Sequence, residues 1–69
     1  MEKLLKYLEK IFDDIEVFDS VDSIIEFEGD YEGLPFRGVC FYDEKERLAV
    51  VLGFFCDSLN FCEIHKNIQ

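Results

Sequence analysis

The sequence predicts an α+β fold, one N-terminal amphipathic helix packed on an antiparallel sheet of four or five strands, in a single domain spanning residues 1–69. Three observations predict it. Residues 2 to about 13 place apolar side chains at a helical period. The runs that follow are short, rich in β-branched and aromatic residues, and separated by Gly, Asp, Ser and charged residues. Residues 48–56 carry no charge and no strong hydrogen-bonding side chain, the pattern of a strand buried on both faces.

Along the helix, Leu4, Leu5, Leu8, Ile11, Phe12 and Ile15 share one face, and Glu2, Lys3, Lys6, Glu9, Lys10 and Asp13 take the other. Tyr7 falls at the edge of the apolar stripe, where its hydroxyl can stay wet. A polar face with acids as well as lysines suits a core-facing helix better than a membrane-surface one. Asp13 and Asp14 oppose the helix dipole and mark its end.

A short strand over residues 15–18 and a turn over 19–23 come next. In residues 24–28, Ile25 and Phe27 point inward and Glu26 and Glu28 outward. Residues 29–33 form a loop in which Gly29 and Gly33 can take positive φ. The strand over 34–42 has Pro35 at its start or on an edge, with Phe36, Gly38, Cys40 and Tyr42 on one face and Arg37, Val39 and Phe41 on the other. Gly38 marks a bulge or close packing of the helix. Residues 43–47 are a charged hairpin connection, and the hairpin over 36–55 is the firmest pairing in the chain. After a turn at 57–60, the chain either resumes as a strand or forms a short helix capped by Asn60, with Phe61, Ile64, His65 and Ile68 on one face. The modest helix propensity of these residues favours the strand.

At 49% hydrophobic and 16% aromatic, the chain holds more apolar material than one small core normally absorbs. One short helix covers one sheet face, so a homodimer, or another partner, is expected over the second. No apolar run approaches the ~20 residues of a membrane span, and the N-terminus reads as a charged amphipathic segment rather than a signal peptide. A soluble, cytoplasmic protein with no membrane partner is expected.

Cys40, Cys56, Cys62 and His65 could together make a Cys₃His zinc site. Strand positions three apart point to opposite faces, however, and CxxC knuckles are absent. Buried, inert thiols and an exposed imidazole are the simpler reading, with no cofactor and no metal. Catalysis is not expected: His65 is the only histidine, it lies near the terminus, and nothing orients a Cys62–His65 pair. Direct nucleic-acid binding is disfavoured by the net charge of -9 and the lack of a basic stripe.

The acids carry the functional signal. Between Ile11 and Phe36 there is no Lys or Arg, while Asp13, Asp14, Glu16, Asp19, Asp22, Glu26, Glu28, Asp30 and Glu32 lie there; these nine acids equal the whole net charge of -9. Glu26 and Glu28 sit about 6.8 Å apart on one strand face. If Glu16 neighbours them, a row of negative charge results, with a spacing comparable to successive phosphates of a nucleic-acid strand. A basic groove would accept such a row. The alternative is that the acids only keep a Phe-rich chain soluble. The partner-binding candidates are Glu16, Asp19, Asp22, Glu26, Glu28, Asp30 and Glu32.

The helix run Leu4-Leu5-Lys6-Tyr7-Leu8-Glu9-Lys10-Ile11, followed by acidic short strands and a hairpin, resembles the first half of YbjN-like domains. These in turn resemble type III secretion chaperones, dimeric α/β proteins that hold partner segments. The likeness covers residues 1–55, and the later helices of that fold are missing. In size and charge the chain also resembles phage-encoded inhibitors of host defence nucleases, including anti-CRISPR proteins. Two functions are therefore expected. The first is a non-enzymatic inhibitor docking its acidic face on the basic surface of a protein partner. The second is a chaperone-like or adaptor homodimer using an apolar sheet face.

Overall fold

The apolar stripe at the N-terminus folds as α1, Glu2–Ile11, in a computed structural model that describes residues 2–67. Ile68 lies outside the described residues. The helix is followed directly by β1 (Asp13–Val21), β2 (Ile24–Tyr31), β3 (Leu34–Asp43), β4 (Leu48–Phe55) and β5 (Phe61–Asn67). The five strands form one antiparallel sheet in sequence order, a meander with β3 in the middle. The ambiguous C-terminal segment is thus a strand, and the order is helix followed by five strands.

The turns explain why the strands outrun their expected lengths. Asp22 and Ser23, with φ of 48° and 68°, join β1 to β2, and Glu32 and Gly33, with φ of 51° and 85°, join β2 to β3. Positive φ at both central residues is the type I′ geometry, whose twist matches the strands it joins. Two residues therefore suffice where a longer turn and a longer loop were expected, and Asp19, Ser20, Val21, Gly29, Asp30 and Tyr31 are strand residues. The β3–β4 connection is held by the Asp43 carboxylate, which accepts from the backbone N–H groups of Lys45 (3.0 Å) and Glu46 (3.3 Å).

The core lies between α1 and one face of the sheet. Leu4, Tyr7, Leu8 and Phe12 pack on Ile25, Phe27, Phe36, Cys40, Ala49 and Val51. Phe12, just past the helix, is the hub of the aromatic packing, with ring centroids 4.9 Å from Phe27, 5.1 Å from Phe36 and 5.6 Å from Tyr31. Gly38 and Gly53 face each other across β3 and β4. A Cβ on Gly38 would collide with the Leu52 carbonyl, and one on Gly53 with the Arg37 carbonyl and the Phe36 ring. The register through this pair is unbroken, so Gly38 is not a bulge, and its close neighbour is the β4 backbone rather than the helix. Two facing glycines leave room for this close approach of the two backbones.

Three helix assignments change. Tyr7 is 4% exposed, inside the core, and its hydroxyl finds no hydrogen-bond partner among the described residues. Leu5 is 37% exposed, on the flank of the stripe. The helix stops at Ile11, so Ile15 belongs to β1 and still packs against the core from there. Ending two residues early lets Phe12 turn inward on the last helical bond, from its N–H to the Leu8 carbonyl.

The apolar run over residues 48–56 becomes β4 as far as Phe55, one strand in from the edge. Ala49, Val51 and Gly53 are buried under the core, and Val50 is buried on the opposite face. On that second face Leu52 is only half-buried and Phe54 is exposed. Neighbouring β3 and β5 side chains shelter this face in part, and nothing among the described residues covers it.

Candidate functional site

The sheet face turned away from α1, the open face, carries two kinds of surface side by side. Strand alternation and register place Glu26, Glu28 and Asp30 of β2 on it. Across the β1–β2 ladder, Glu16 pairs with Glu28, Asp19 with Glu26 and Asp13 with Asp30. Like charges therefore face each other at three successive steps of one hairpin, an arrangement that costs up to about 1 kcal/mol per opposed pair. The spacing of Glu26 and Glu28 was legible in the sequence, and so was the conditional placing of Glu16. The pairings of Asp19 and Asp13 were not, because they depend on register shifts between Asp13 and Glu16 and between Val17 and Asp19.

Five of the seven candidate residues, Glu16, Asp19, Glu26, Glu28 and Asp30, thus belong to this ladder. The other two sit in turns at opposite ends of β2: Asp22 in the β1–β2 turn and Glu32 in the β2–β3 turn. Asp22 lies three residues past Asp19 and Glu32 two residues past Asp30, so the two turns flank the ladder at its opposite ends.

The ladder also has a basic neighbour that lies just outside the base-free window. Arg37 of β3 pairs with Glu28 across the β2–β3 ladder, its guanidinium 4.0 Å from the Glu28 carboxylate and 4.6 Å from the centroid of the Phe18 ring. Both partners of this ion pair are about half exposed, so it contributes little to stability. Its effect is geometric, holding Phe18 and Glu28 on one face.

Beside the acids runs an apolar band, with Val21, Ile24, Phe41 and Val50 in one cross-strand row and Val39 and Leu52 in the next. Phe54 and Phe61 close its far end. Ile24 is 45% exposed and Phe61 71%. Where acids and band meet, Asp19, Asp22 and Glu26 rim an open cleft of about 300 Å³ floored by Val21, Ile24 and Val39. The apolar members of this cleft carried no sequence signal beyond ordinary strand composition.

The thiols and the imidazole are dispersed. Cys40 and Cys62 are on the helix side of the sheet, Cys56 follows β4, and His65 is on the open face beside Glu63, 3.4 Å away. All three cysteines are free. Burial pushes the Cys40 thiol up to about 11, and burial first, then Cys40 and Tyr31, raises the Tyr7 phenol. Both groups are held neutral and away from solvent, the opposite of an activated nucleophile. Among the described residues no group of three or more His, Cys, Asp or Glu is placed to hold a metal ion. No helix there is long and apolar enough to cross a membrane.

No protein-family model, curated protein or solved structure matches the chain. The functional reading therefore comes from the site itself.

Proposed function

We propose that the chain is a non-enzymatic binding protein that docks its β1–β2 acid ladder on a basic surface of a protein partner and blocks it. The observation that carries this reading is the facing of Glu16 with Glu28 and Asp19 with Glu26. A fold that only needed solubility could scatter its acids and avoid the repulsion. Concentrating them on one hairpin serves a partner that supplies the missing positive charge. The cleft at the end of the ladder suits one lysine or arginine side chain of that partner, with the stem on Val21, Ile24 and Val39 and the head among Asp19, Asp22 and Glu26. A nucleic-acid-binding groove is the partner surface with the matching charge, as for the anti-CRISPR class of inhibitor.

Affinity capture from native host cells, with partners identified by mass spectrometry, tests the proposal. The wild-type chain is compared with the variant Glu16→Gln, Asp19→Asn, Glu26→Gln, Glu28→Gln. A control carries Asp43→Asn, Glu44→Gln and Glu46→Gln; asparagine can still accept the turn bonds that Asp43 makes. The ladder variant is expected to lose the partner, the control to keep it, and roughly 1 M salt to release it from the wild type. Equal loss in the control would reduce the acids to a net-charge effect.

A second reading rests on the apolar band. An adaptor or chaperone-like homodimer would bind a partner segment, or its own copy, over Ile24, Phe41, Val39, Leu52 and Phe54. That interaction survives high salt and the ladder variant alike, and is lost on Ile24→Asp with Phe54→Asp.

A further inference from the structure

The two edges of the sheet are built differently. At β1 the pairing is broken by two register shifts, Asp14 stands at φ 51°, and Asp13, Asp14, Glu16 and Asp19 crowd the strand without a base. Bulges and charges of this kind keep an edge from accepting another strand. β5 has no bulge and no net charge. Its register with β4 is continuous from Leu48↔Asn67 to Phe54↔Phe61, it contains no proline, and its formal charges cancel, Glu63 against Lys66. The Phe55 N–H donates to the Asn60 carbonyl. Ladder bonds alternate from there, so Cys62, Ile64 and Lys66 exchange bonds with β4, while the backbone groups of Phe61, Glu63 and His65 point out of the sheet edge.

We propose that this edge is occupied by β5 of a second copy, antiparallel and centred on Ile64, giving a homodimer with one continuous sheet. Charge selects the occupant. Copies of a chain with net charge -9 repel each other over most of their surface, and β5, where Glu63 and Lys66 cancel, adds nothing to that repulsion. Register selects the centre. With Ile64 opposite itself, Glu63 faces His65 of the second copy, and the reverse pair forms by symmetry. Centring on Glu63 or on His65 would set like groups against each other. On the helix side, Cys62 and Ile64 are half-buried at the margin of the core, and pairing carries that margin across to the other copy. The assembly closes at two, because both β5 edges are used and both remaining edges are the guarded β1. The inference stands independently of the acid-ladder proposal, and it places the two ladders at the far ends of one shared surface.

Sedimentation equilibrium of the full chain at micromolar concentration is expected to give twice the 8.2 kDa of one chain. His65→Pro removes an outward N–H and leaves the β4 ladder bonds in place. Its circular dichroism is expected to match the wild type and its mass to be that of one chain. Glu63→Lys is expected to weaken the dimer about ten-fold, and adding His65→Glu to restore it by setting an acid opposite each introduced base. Asp14→Lys with Glu16→Lys on the other edge leaves the dimer intact. A wild-type mass of 8.2 kDa at every concentration overturns the proposal, and so does a folded, dimeric His65→Pro. Should His65→Pro fail to fold, the charge exchange decides: a folded double variant that stays monomeric counts against the Ile64-centred pairing.

Discussion

The two faces of one sheet obey different rules. On the helix side, Phe27, Phe36, Leu8, Val51 and Cys40 are fully buried, and no charged group among the described residues is buried with them. On the open side, β2 sets Glu26 and Glu28 opposite Asp19 and Glu16, and apolar residues as large as Phe54 and Phe61 remain exposed. The same strands supply both faces, since alternate residues of β2, β3 and β4 point each way. What differs is what each face serves. The first satisfies the chain itself, and packing complementarity decides every position. The second carries repulsion and exposed apolar surface that bring the isolated chain nothing, which is where function is to be sought.

Truncation draws the contrast most sharply. Phe27→Ala should cost about 3–5 kcal/mol, comparable with the whole stability of a domain this small, whereas Phe54→Ala should cost about 1 kcal/mol or less. Urea unfolding of both variants measures the ratio. Equal losses would mean that the open face packs as tightly as the core.

Gly53→Ala tests the close approach of β3 and β4. Its methyl group meets the Arg37 carbonyl and the Phe36 ring, so a loss of about 1–3 kcal/mol is expected in the same urea series. A neutral result would show that the two strands can move apart there without harm.

The buried phenol tests the one imperfect place on the helix side. Tyr7→Phe removes a hydroxyl with no partner among the described residues and should raise stability by about 1 kcal/mol. The same burial predicts a pH effect. The Cys40 thiol is raised from 9.0 to about 11 in the folded chain, so its contribution is complete below pH 9 and disappears as pH climbs toward 11. Thermal melts across this range should fall in midpoint, and Cys40→Ala should lose part of that slope. Alkylation of the native chain at pH 8 should spare Cys40 and modify the half-buried Cys56 and Cys62 first.

The smallest effect belongs to the open face. Neutralising Glu16, Asp19, Glu26 and Glu28 together should leave stability unchanged or raise it by about 1 kcal/mol, because mutual repulsion and one exposed ion pair with Arg37 are lost, while an amide in place of the Asp19 carboxylate can still accept from the Ser20 N–H. A marked drop in the melting midpoint would mean that the acids are structural, and the partner reading would lose its basis.

What the sequence determined by itself follows from period and chemistry within a few residues. The 3.6-residue stripe marked α1, the alternation in β2 sorted Ile25 and Phe27 from Glu26 and Glu28, and the apolar runs around a charged connection marked the β3–β4 hairpin. The concentration of acids was visible as a simple count. Tertiary structure decided the rest. Tyr7 is buried because the core between α1 and the sheet, which includes Cys40 and is flanked by Tyr31, takes it in, a packing that no helical wheel contains. Asp22-Ser23 and Glu32-Gly33 close two-residue turns because the strands they join twist to fit, and residues that resemble loop material in isolation are then drawn into the ladders. The bulges of β1 determine which acids face each other, and therefore where repulsion accumulates. The contrast between the guarded edge and the bare one exists only after the strands have taken their order. Local pattern specifies which side of an element is apolar; only the assembled sheet specifies what that side meets.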